Sequence, residues 1–104
     1  CRREAKRSLT LAKTAANVLS DPPDICWAFS QIAETEASIG DARSYLESIE
    51  IAAKAAAQVK DVLGHGIESL MQIADAQATA KDFFGLAKTV EMAKKEAGRL
   101  PMAA

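Results

Sequence analysis

Apolar residues recur three or four positions apart along most of the chain, the spacing of one face of an α-helix. Ile25, Phe29, Ile32, Ala33 and Ala37 form one such stripe. Tyr45, Leu46, Ile49, Ala52, Ala53, Ala56 and Val59 form a second, and Ile67, Leu70, Met71, Ala74 and Ala78 a third. Phe83, Leu86, Val90, Ala93, Ala97 and Leu100 form a fourth, and Leu9, Ala12 and Ala16 a shorter one near the start. Between the stripes stand residues that end helices or begin them. Ser20-Asp21-Pro22-Pro23 can cap free N–H groups and open a helix where proline needs no donor. Gly40-Asp41 stops one helix and caps the next, Asp61 and Asp82 open others, and Pro101 ends the last. Gly64-His65-Gly66 should weaken the first turn of its helix. No segment alternates with period two, so strands are not expected. The pattern predicts an all-α fold of five antiparallel helices.

The stripes also repeat in sequence. Gln31 to Asp41 matches Gln72 to Asp82 at an offset of 41, with Gln, Ile, Ala, Ala and Asp identical. The register continues through Ile49/Val90, Glu50/Glu91, Ile51/Met92 and Ala52/Ala93. At an offset of 40, Ser8, Leu9, Leu11, Ala12, Ala15, Ala16 and Asp21 fall on Ser48, Ile49, Ile51, Ala52, Ala55, Ala56 and Asp61. A single domain therefore divides into a half repeat over 1–20 and full repeats over 21–60 and 61–104. A plain up-down bundle is the alternative, but it does not require its helix pairs to share a sequence. Repetition favours an α-solenoid of helical hairpins.

Phe29-x-x-Ile32-Ala33 and Leu70-x-x-Ile73-Ala74, the Gly40-Asp41 and Lys81-Asp82-Phe83 turns, and the later Ala52 and Ala93 resemble the tetratricopeptide (TPR) repeat. The period is longer than the usual one of about 34 residues, so the likeness is to a divergent form. This resemblance implies that the first helix of each hairpin lines a concave groove for an extended peptide. The matching positions include Trp27, Ser30 and Glu34, then Glu68, Met71 and Asp75. Such a groove is acidic through Glu34, Glu68 and Asp75, with Trp27 and Met71 as apolar anchors. Trp27 has a second reading, core packing beside a buried Cys26.

Charge adds a direction to this picture. Net charge is −1 overall. By segment it runs +4 over 1–20, −6 over 21–50, −1 over 51–80 and +2 over 81–104. A basic or amphipathic peptide is the expected partner of an acidic middle. Solenoid ends that carry apolar residues, here Leu9, Ala12 and Ala16 or Val90, Ala93 and Leu100, lead to a homo-oligomer or a longer repeat array.

Other chemistry is thin. His65 is the sole histidine and has no neighbouring nucleophile, no ligand set suggests a metal, and no Gly-rich loop suggests a phosphate. No catalytic residue, cofactor or enzymatic activity is expected. The alternative function uses the basic clusters Arg2, Arg3, Lys6 and Arg7 or Lys94, Lys95 and Arg99 on nucleic acid or an anionic membrane. The clusters lack interleaved aromatics, which disfavours nucleic acid. A membrane is disfavoured unless Cys1 is lipidated. Cys1 reads more readily as a fragment boundary than as a processed terminus, and a cytoplasmic setting is favoured.

Overall fold

The computed structural model describes residues 2–59 and 65–99, without the side chains of residues 2, 3, 5 and 99. Cys1, Asp61, Gly64, Leu100 and Pro101 lie outside the described residues. The described chain is all α-helix and turn: α1 Arg2–Ala16, α2 Pro22–Ser38, α3 Ala42–Ala57, α4 His65–Thr79 and α5 Phe83–Arg99. Pro22 and Pro23 occupy the first turn of α2, where an N–H would have no helical acceptor.

The helices form an open row measuring 49 × 29 × 15 Å. α2 packs on α1, α3 and α4; α4 packs on α2, α3 and α5. α1 touches α2 alone, and α5 touches α4 alone. The bodies of α3 and α5 do not pack on each other, and their link is the Tyr45 hydroxyl of α3, which donates to Asp82, the cap of α5, at 2.7 Å. The first helices of the two hairpins run in parallel. Early in each, the Cys26 thiol donates to the Ser69 carbonyl at 3.3 Å, and late in each, Thr79 donates to Glu34 at 3.2 Å.

The core follows the apolar stripes. Phe29, Ile32, Ala33, Tyr45, Ile49, Ala52, Leu70, Ile73 and Ala76 are buried in one cluster. Burying each of the larger ones contributes about 1.5–3 kcal/mol. Alanine at Ala33, Ala52 and Ala76, all fully buried, removes bulk where the helices approach one another. Leu9 and Ala16 also join this core, against the expectation of an apolar outer face there. α1 leans its stripe on α2, and only Ala12 of the three stays exposed. Leu46 and Phe83 depart from their stripes in the other direction, at 59% and 66% exposed, because no helix covers those sides of α3 and α5.

The two hairpins share their turn in atomic detail, at the offset of 41 seen in sequence. The Asp41 N–H donates to the Glu36 carbonyl and the Asp82 N–H to the Gln77 carbonyl, at 2.9 and 2.8 Å. The N–H groups of Gly40 and Lys81 donate to the carbonyls of Ala37 and Ala78, both at 3.1 Å. This pair of bonds is the Schellman closure of a helix, which needs a left-handed residue. Gly40 takes φ 79° and Lys81 φ 60°. Asp41 and Asp82 then cap the next helices, accepting from the N–H groups of Ser44 and Gly85. A buried polar bridge completes each hairpin. Ser48 donates to Glu36 and Thr89 to Gln77, each at 2.6 Å.

α4 starts at His65, so the Gly-His-Gly segment is helical from that residue on. Gly66 is there for space: a Cβ would lie 2.8 Å from the Val59 carbonyl oxygen. It lets α4 press against the end of α3.

Candidate functional site

α2 and α4 carry the candidate site, and their outward positions match at the 41-residue offset. Trp27 pairs with Glu68, Gln31 with Gln72, Glu34 with Asp75, and Ser38 with Thr79. Successive members on each helix are four, three and four residues apart, which keeps them on one face. Trp27 is 56% exposed, which rules out the core reading, while Cys26 beside it is fully buried. Glu68 and Asp75 are exposed and Glu34 half-buried. The Thr79–Glu34 hydrogen bond ties the two helices across this face and fixes the Glu34 carboxylate.

Neither α2 nor α4 contains a lysine or arginine. Among the described residues the cations lie on α1, α3 and α5, among them Lys6, Lys13, Lys54, Lys88, Lys94 and Lys95, and at Lys81 in the α4–α5 turn. The face made by α2 and α4 is therefore acidic along its length. A positively charged segment laid on it meets no like charge from either helix.

Two of the expected groove residues are not on this face. Ser30 is fully buried, because α4 lies over that side of α2. Its repeat equivalent, Met71, is 57% exposed and borders a different groove, between α4 and α5. Position 30/71 belongs to the contact between hairpins, not to the outward α2–α4 face. Gln31 and Gln72 are on the face instead. Their identity within the aligned repeat marked them, and only the direction of the helix face was missing.

The titrating groups act in the scaffold. Burial raises the Cys26 thiol pKa, with hydrogen bonds to Ser30 and Ser69 acting the other way. Such a thiol is a poor nucleophile. Burial and the Asp82 carboxylate, 2.7 Å from the hydroxyl, raise the Tyr45 pKa well above the usual phenol range. Hydrogen bonds from Ser44, aided by Lys6 and Lys13, lower that of Asp41. Among the described residues no three His, Cys, Asp or Glu side chains come together to hold a metal ion. No described helix is long and apolar enough to cross a membrane. No protein-family model matches the chain, and no curated protein or solved structure is significantly similar to it.

Proposed function

We propose that this chain is a non-enzymatic interaction module of the TPR-like kind, which takes a basic or amphipathic peptide segment along the α2–α4 face. The observation that carries this reading is the segregation of charge. Glu34, Glu68 and Asp75 line a face whose two helices hold no lysine or arginine, with Trp27 exposed at one end. A half-exposed tryptophan on a rigid helix is an interface anchor in waiting, since it contributes large area at little entropic cost. Parallel first helices with matched outward positions also offer a repeating track to an extended ligand.

Trp27 is the sole tryptophan, so its fluorescence reports contact directly. Titration with a Lys/Arg-rich peptide should shift that emission saturably. The double substitution Glu34→Lys, Asp75→Lys should weaken binding by about a hundredfold, the combined effect of two reversed charges at about tenfold each. An unchanged affinity would remove the reading. Steep salt-dependent binding to nucleic acid or anionic vesicles, lost on replacing Lys88, Lys94 and Lys95, would put function on the basic layer instead.

A further inference from the structure

A second surface carries its own argument, independent of the acidic face. Between α4 and α5 lies an open groove of about 330 Å³, lined almost wholly by apolar atoms. Met71, Ala74, Thr89, Val90, Ala93 and Ala97 border it. Moved back by 41, these become Ser30, Ala33, Ser48, Ile49, Ala52 and Ala56, and all six are buried. On the first hairpin this is the surface under α4. Val90 is 40% exposed where Ile49 is 9%, and Met71 57% where Ser30 is 0%. The second hairpin thus presents, uncovered among the described residues, the seat that the first hairpin uses to hold a helix.

The covered seat shows what fits. α4 presents Gly66, Ser69 and Ile73 as buried residues, with the amide of Gln77 eleven positions after Gly66. α2, the other helix of this type, has Ile25, Ala28 and Ile32 on its repeat-equivalent positions and Glu36 at the eleventh. The rule is small or apolar at i, i+3 and i+7, then a polar group at i+11.

Charge decides which polar group. Buried Leu9 and Ala16 match buried Ile49 and Ala56, so the structure supports the 40-residue offset for α1. On that register Lys13, Ala53 and Lys94 are equivalent. Lys13 on α1 reaches Glu36 on the next first helix, at 2.6 Å, and Glu36 is buried. Ala53 on α3 precedes a first helix whose equivalent residue is the neutral Gln77. Lysine goes with glutamate and alanine with glutamine. Lys94, at the rim of the open seat, is held by an exposed pair with Glu91 at 3.6 Å, a weak contact that a docked glutamate can replace.

We infer that the α4–α5 groove docks an amphipathic helix of another polypeptide, with small or apolar residues at i, i+3 and i+7 and a glutamate at i+11 that pairs with Lys94. A second copy of this chain does not offer its own α2 for this purpose. α1 already holds the side of α2 that α5 would have to take, as its equivalence to α3 and α5 shows.

The test uses a fluorescein-labelled peptide of residues 20–41, capped at both ends, with the intact chain. Saturable binding should appear, with a shift of the Met71 methyl resonance. Lys94→Glu in the chain or Glu36→Lys in the peptide should each weaken binding about tenfold or more, and the two together should restore much of it. Lys54→Glu, on an exposed pair with Glu50, should leave it unchanged. Joining the peptide to the chain by a flexible linker raises its effective concentration to the millimolar range, so weak affinity does not hide docking. No Met71 shift in the tethered form, or binding blind to the charge of Lys94, overturns the inference. So does self-association of the chain alone through Met71 and Val90, which would assign the groove to a second copy.

Discussion

The two hairpins close their turns with the same hydrogen bonds, yet they fill the space under those turns differently. In the α2–α3 hairpin the buried plug is charged: Glu36 accepts from Ser48 and pairs with Lys13 of α1. In the α4–α5 hairpin it is neutral: Gln77 accepts from Thr89. The charged plug joins three helices, the neutral one two. The first hairpin takes a glycine in its left-handed turn position and the second a lysine. Backbone geometry is thus common property of the repeat, and the side chains record what each hairpin packs against.

The widest test of that contrast is to remove Lys13. Glu36 then loses its cation, leaving Ser48 as its partner in the core. Breaking a fully buried pair costs about 3–5 kcal/mol, but Lys13 is one-third exposed, so we expect about 2 kcal/mol for Lys13→Ala, less than the fully buried case. Thermal denaturation followed by circular dichroism should show a fall of roughly 10 °C in Tm. Adding Glu36→Gln, which copies the second hairpin, should recover part of it. Equal losses in the single and double variants would show that the two plugs are not alternatives.

Exchanging the turn residues has a smaller effect of opposite signs. Lys81→Gly should stabilise by about 0.5–1 kcal/mol and Gly40→Lys should destabilise by about 1 kcal/mol, because the left-handed conformation penalises a Cβ. Urea midpoints check both, and the same sign for both would refute the shared turn geometry.

The smallest effect appears only in alkali. Tyr45 of the first hairpin donates to Asp82 of the second, and its folded pKa lies above the unfolded value of 10.0. Above pH 10 the unfolded chain therefore loses this proton first, so the stabilisation is complete below that pH and declines as pH rises through it. Tyr45→Phe should flatten this decline in denaturation midpoints measured from about pH 9 to 11. A variant with the same decline would place its origin elsewhere, for example in the lysines.

Helices, turns and caps were readable because they rest on local chemistry: Pro22-Pro23, Gly40-Asp41 and Asp82 act within a few residues of themselves. The repeat was readable because identical neighbours demand similar side chains. Leu46, Phe83 and Ser30 were not, since a helical stripe shows that a residue faces a side of its helix, not whether another helix lies there. Ser30 and Met71 share a repeat position and differ wholly in exposure, a difference made by α4 alone. The outward exposure of Trp27 was undecided for the same reason. Glu36 was legible only as an acid late in a helix, and its burial depends on Lys13 and Ser48 arriving from two other segments.

Each helix touches only the next one or the next but one along the chain. Contacts between consecutive helices close short loops, and those between α2 and α4 span 43 to 45 residues, so the former cost less entropy to form. Assembly can begin at the central α2–α3–α4 contacts and add α1 and α5 afterwards, each on a single neighbour. Among the described helices, α1 and α5 each hold a single neighbour, so opening either one disturbs fewer contacts than opening α2 or α4.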